Sequence, residues 1–213
     1  MFLIPFLAIS QVGIAEAEED SLFVPSVRLG VDVSGFARHL LEPETITGEI
    51  TLDLEWRKSH FLVVEGGLLQ VDVEKETHIY EADGYFIRIG ADFNILERNP
   101  DNPNDVLLAS LRYGYGKLNH EAPFILIPDP YWGDRETAIS SESYRAHWLE
   151  VGLGLKTEMW QHVFLGWSLR GRLMLTDTAS PAMDPYFISG FGKSGSNTSL
   201  SLHYYIMYRI PLR

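Results

Sequence analysis

Between Val27 and Ile210, apolar and polar residues alternate with a period of two in one segment after another, the signature of strands with one apolar and one polar face. The pattern is clearest from Thr45 to Arg57. There Ile46, Gly48, Ile50, Leu52, Leu54 and Trp56 share one phase, and Thr47, Glu49, Thr51, Asp53 and Glu55 the other. The same alternation predicts strands around Val27–Ser34, Tyr85–Ile95, Leu107–Gly116, Leu149–Lys156, Val163–Leu175 and Leu200–Ile210, seven in all. An eighth segment, Phe61 to Glu74, breaks the rule, because Glu65 falls in phase with Val63 and Leu69. A bulge at Gly66-Gly67 would restore it by turning Leu62, Val64, Leu69, Val71 and Val73 outward and Glu65, Gln70 and Asp72 inward.

The polar phase tells which face of these strands is the inside. It carries Arg28, Arg88, Arg112, Lys156, Arg170, Arg172 and Arg209 against Asp32, Glu49, Asp53, Glu55, Asp92 and Glu150, and it is rich in Gly and Ser. Charges that nearly cancel, spaced by small residues, suit a narrow lumen, where a buried charge is tolerable only when paired. The expected fold is therefore an all-β, eight-stranded antiparallel up-and-down transmembrane barrel with a polar interior filled by side chains, spanning residues 26–213. Connections at 58–60, 97–105 and 160–162 are short and those at 37–44, 75–83, 119–143 and 176–197 longer, which sets the longer ones outside and both termini in the periplasm. Trp56, Phe93, Trp160 and Tyr208 are expected at the periplasmic rim, and Tyr85, Tyr113, Tyr115 and Trp148 toward the outer one.

Composition narrows the function classes. A net charge of -12 and a pI near 4.9 exclude a nucleic-acid partner, which needs a basic surface. With no cysteine there is neither a disulfide framework nor thiolate chemistry, and no motif calls for a metal or cofactor. Apolar residues from Phe2 to Ala8 followed by Ala15-Glu16-Ala17 read as a signal peptide over 1–17, though without a positively charged start, and 18–25 as a periplasmic segment. No apolar run reaches the roughly 18 residues that a spanning helix needs, so the membrane must be crossed by strands.

Several stretches, Tyr85-Phe86-Ile87-Arg88-Ile89-Gly90-Ala91-Asp92-Phe93-Asn94, Leu111-Arg112-Tyr113-Gly114-Tyr115, Asn119-His120-Glu121-Ala122, Tyr131-Trp132-Gly133, His147-Trp148-Leu149-Glu150 and Gly190-Phe191-Gly192-Lys193, carry a further signal. Through them the chain resembles small uncharacterised outer-membrane barrels of Bacteroidota, a domain of unknown function. The resemblance implies the barrel and an outer-membrane location and brings no activity. The C-terminus, Tyr208-Arg209-Ile210-Pro211-Leu212-Arg213, departs from the terminal aromatic usual in such barrels.

Three functional readings follow. The first is a structural or surface-interaction barrel without enzymatic activity, contacting outer-membrane lipid and a protein or glycan through two outer loops that share an Asp-Pro-Tyr-aromatic motif. Its partner-binding residues are Tyr131, Trp132, Tyr186, Phe187 and Phe191. The second is an outer-leaflet lipid-modifying enzyme, for acyl transfer or deacylation, with His120, Glu121 and Ser141 in one constellation. The third is a soluble lipocalin-like ligand-binding barrel, which requires the apolar phase to point inward. The ionic set Arg28, Asp32, Glu49, Asp53, Arg88, Asp92, Arg112, Glu150, Arg170 and Arg172 is expected to be structural, and acidic residues of the outer loops such as Glu42, Glu81, Asp83 and Glu136 a solvated rim.

Overall fold

A computed structural model describes residues 25–97, 102, 104–178 and 183–212. The segment 1–17, read as a signal peptide, and residues 18–24 lie outside the described residues. The chain order is β1 (Ser26–Asp32), α1 (Ser34–Leu41), β2 (Thr45–Arg57), β3 (His60–Lys75), β4 (His78–Asn94), β5 (Val106–Ile127), β6 (Arg135–Trp160), β7 (Val163–Asp177), β8 (Phe187–Ile188), β9 (Gly192–Lys193) and β10 (Thr198–Pro211). Eight of these strands close an antiparallel ring in the order β1-β10-β7-β6-β5-β4-β3-β2, while β8 and β9 pair only with each other. Each strand of the ring pairs with its sequence neighbour in that ring, and Ser26↔Pro211 through Asp32↔Tyr205 zip the first strand to the last.

The outward phase is apolar all the way round. Leu29, Ile50, Leu62, Ile87, Ile89, Leu111, Val151, Leu153, Leu169, Leu202 and Ile206 are each two-fifths to three-fifths exposed, and together they come from all eight strands of the ring. Exposure on that scale is incompatible with water as the surrounding medium and natural in hydrocarbon. The alternation thus has the opposite sense to that of a soluble ligand-binding barrel, and the lipocalin-like alternative falls. Trp56, Phe93, Trp160 and Tyr208 lie outward near the short-turn end, and Tyr85 and Tyr113 toward the other. Among the described residues no helix is long and apolar enough to cross a membrane.

Four expectations need correction. β3 runs without a bulge at Gly66-Gly67: its pairing with β2 is continuous from Thr45↔Val71 to Glu55↔Phe61. Glu65 points inward because the inner phase of this strand is itself mostly apolar, so Phe61, Val63, Leu69, Val71 and Val73 are all buried while Gln70 and Asp72 are exposed. Trp148 faces the lumen and is fully buried, because Gly114 stands opposite and a Cβ there would come within 2.2 Å of the indole. The stretches 75–83 and 119–143 are strand for most of their length, with turns at 76–77 and 128–134. Finally, 34–41 is a helix whose Phe36, Leu40 and Leu41 are exposed, extending the apolar surface past β1.

An arginine placed in the outward belt has no partner and no water. Leu111→Arg is expected to lower stability by about 2–4 kcal/mol in urea unfolding from lipid vesicles. Gln70→Arg, on the same outward face beyond the belt, should cost less than about 0.5 kcal/mol.

Candidate functional site at the outer mouth of the barrel

The lumen is layered. At the short-turn end the Arg28 guanidinium lies between the rings of Phe61 and Phe164, 4.8 and 4.7 Å from their centroids, and reaches Glu55 at 3.5 Å. Lys156 pairs with Asp53 and, at 3.3 Å, with Asp92.

The middle layer is a lattice of arginines and carboxylates contributed by β2 to β7. Arg170 grips Glu65 through both terminal nitrogens at 2.8 Å and reaches Glu150 at 3.2 Å. Arg88 pairs with Glu49, with Glu65 at 2.8 Å and with Glu150 at 3.4 Å. Arg112 donates to both oxygens of Asp92 at 2.9 and 3.1 Å, and Arg172 Nε donates to Glu150 at 2.7 Å. Glu150 is fully buried and held by four guanidinium groups. The ten residues expected in an interior ionic set all point into the lumen, and Glu65, Lys156, Glu55 and His203 join them.

Asp32, Glu49 and His203 bring one ligand atom each within 4.8 Å of the others, a donor set of the kind that holds a divalent cation. Those atoms are already engaged. An arginine can only donate, so Arg172 Nη2 donates a hydrogen bond to His203 Nε2 at 2.8 Å, and the ring's Nδ1–H donates to Asp32 at 2.5 Å. Glu49 is taken by Arg88 and, at 3.1 Å, by the Tyr205 hydroxyl. A cation would have to displace these four contacts.

Above the charges the inner face turns apolar, with Leu69, Val71, Tyr80, Ala82, Phe86, Leu118, Tyr144 and Trp148 in one cluster. The β8–β9 hairpin drops onto it. Phe187, Ile188, Ser189 and Phe191 are buried, Phe191 meets Trp148 edge to face at 6.0 Å, and its carbonyl accepts a hydrogen bond from Arg172 Nη1 at 2.9 Å. Gly190 and Gly192, at φ +75° and +125°, allow the tight reversal, and a Cβ at Gly190 would strike Phe86 at 2.4 Å. Phe187 and Phe191 are therefore part of the lumen's packing and are not presented to a partner. From this hairpin Lys193 reaches Glu42 at 2.9 Å, a contact that raises the Lys193 pKa.

Strands β3 to β6 continue past the apolar belt as a four-stranded wall, about 30 Å long on β5 from Leu118 to Ile127. Bulges at Ile79/Glu81, His120/Ala122 and Ala122/Ile125 bend it. A cavity of about 370 Å³ opens beside the β3–β4 turn, lined by Val73, Ile79, Tyr80, Ile125, Met183 and Tyr186 among others. At the tip Asp129 Oδ1 accepts hydrogen bonds from the backbone of Tyr131 at 2.9 Å and Trp132 at 3.1 Å, and Gly133 adopts φ +84°. Both aromatic side chains are 91% exposed. The second copy of the motif behaves differently: Tyr186 is half exposed and Phe187 is buried.

The residues of the enzymatic reading, His120, Glu121 and Ser141, line one cavity of about 220 Å³, but no hydrogen bond joins them. His120 points inward and Glu121, the next residue of the strand, outward. Ser141 is exposed, and neither ring nitrogen of His120 has a hydrogen-bond partner, so no base-to-nucleophile relay exists among the described residues.

A family model described as Domain of unknown function (DUF6048) matches residues 1–213. The chain belongs to this family. None of the curated proteins matches this DUF6048 chain by sequence. Among solved structures it is similar to Ail, the attachment invasion locus protein of Yersinia pestis, at 12% identity and TM-score 0.46, covering 89% of this chain and 100% of that one. It is also similar to a major outer membrane protein from Thermus thermophilus, at 12% identity and TM-score 0.47 over 87% and 98%. A third is Neisserial surface protein A, at 10% identity and TM-score 0.41 over 89% and 96%. Such distant likenesses carry nothing about activity. The closed ring, outward apolar belt and inward charges of the DUF6048 chain are the architecture of an outer-membrane barrel.

Removing one acid from the lattice strands its arginines. Glu150→Gln is expected to cost roughly 3–5 kcal/mol in urea unfolding from detergent micelles. Glu42→Gln, at the exposed pair with Lys193, should change stability by less than about 1 kcal/mol.

Proposed function

We propose that this protein is a non-conducting outer-membrane barrel that serves surface contact, presenting Tyr131 and Trp132 to a protein or glycan outside the cell. The observation that carries the reading is their exposure: two large aromatic side chains, 91% exposed, stand on a turn braced by Asp129 at the end of a projecting wall. Rigid aromatic anchors supply contact area at little entropic cost, whereas exposing them to water without a partner is unfavourable. Tyr186 contributes from the rim. Closure of the lumen is supported by the near-complete burial of Arg88, Arg170, Glu65 and Glu150 and by the hairpin packed above them. The same reading takes residues 1–17 to be a cleaved signal peptide, on the strength of Ala15-Glu16-Ala17, and the source to be a member of the Bacteroidota.

Binding of the purified barrel to glycan and host-protein arrays tests the contact role. At least one ligand should be retained by the native chain and weakened tenfold or more, about 1.4 kcal/mol, by the Tyr131→Ser, Trp132→Ser double variant with its fold intact. Binding that the double variant preserves would refute the role of this tip. In planar bilayers the protein should show no stepwise conductance, and a steady open channel would refute the closed lumen.

A further inference from the structure

Lys117 on β5 stands directly opposite Arg145 on β6, and Tyr85 on β4 is the other cross-strand neighbour of Lys117. All three side chains belong to the outward phase. Like charges directly opposite on paired strands repel unless something anionic lies between them. Among the described residues neither cation has an ion-pair partner, so none of those residues supplies that anion.

The position of the pair identifies what can. The row beneath it is Ile87, Tyr115 and His147, and beneath that Ile89, Tyr113 and Leu149, the start of the apolar belt. The Tyr113 hydroxyl lies 2.6 Å from His147 Nδ1 and the Tyr115 ring 5.0 Å from the imidazole, so the two cations rest on a braced aromatic floor. Aromatics of this kind mark the headgroup level of a bilayer. The rows above carry Asp83, Asn119 and Ser143, then Glu81 and Glu121. A soluble polyanion arriving from outside would have to pass those carboxylates; an anion embedded in the leaflet would not.

We propose that Lys117 and Arg145, with Tyr85, Tyr115 and His147 around them, bind the phosphate groups of lipid headgroups in the outer leaflet. The site follows from the barrel's orientation and does not depend on Tyr131 or Trp132, so its failure and that of the contact role are separable.

The test folds the full barrel into phosphatidylcholine vesicles, with or without diphosphorylated lipid A, and reads the temperature at which the unboiled, fast-migrating form is lost on a gel. Lipid A is expected to raise that temperature on the order of 3 °C in the native chain. The rise should vanish in Lys117→Gln, Arg145→Gln and at high salt, and persist in Lys117→Arg. Inorganic phosphate added to pure phosphatidylcholine vesicles should give no rise. An equal rise in the glutamine variant, or the same rise with free phosphate, would overturn the proposal. Should the glutamine variant not fold, the native chain decides: a rise insensitive to salt overturns it as well.

Discussion

In hydrocarbon an unpaired backbone N–H or C=O costs several kcal/mol, so a chain that crosses a bilayer as strands must close its sheet on itself. Everything else in this molecule follows from that closure. Eight strands enclose a narrow lumen, and the period of two sends every second residue into it. The outward phase is free to be apolar, and the inward phase must satisfy itself. Here it does so by distributing arginines and carboxylates over neighbouring and facing strands, so that Arg170 from β7 meets Glu65 from β3 across the barrel.

That ionic lattice also sets where other chemistry can occur. His203, Asp32 and Glu49 have the composition of a metal site, yet arginines, a tyrosine and one another already consume their ligand atoms. The outer half of the lumen is apolar and occupied by the β8–β9 hairpin, anchored by Arg172 and by the fit of Phe191 against Trp148. Surface for recognition is thereby shifted outward, onto the wall that β3 to β6 raise above the belt and onto the band of side chains at its base.

The strands are legible in the sequence because burial in lipid imposes a strict period and a lone charge on the wrong face is costly. Difficulty begins where both faces of a strand carry apolar residues. Leu69, Val71 and Val73 look as lipid-facing as Leu62 and Val64, but they pack inside, above the charges, where the lumen is no longer ionic. Trp148 misleads for the same reason, although Gly114, opposite it in the pairing of β5 with β6, and Gly116, two residues further along β5, mark the space that its indole fills. The two Asp-Pro-Tyr motifs diverge through tertiary context: Gly133 ends a free turn, while Gly190 and Gly192 fold the second motif back into the barrel. Sequence overstates the long connections because β5 and β6 keep pairing beyond the membrane, where their polar outward residues resemble loop.

The most direct measurement is gel migration of boiled and unboiled protein recovered from the outer-membrane fraction after expression with residues 1–17 in place. A closed barrel held by an internal ionic lattice should migrate faster unboiled, and only in that fraction. Recovery as a soluble periplasmic protein with no change in migration would contradict the lipid-facing belt and, with it, the inward assignment of every charged residue of the lumen.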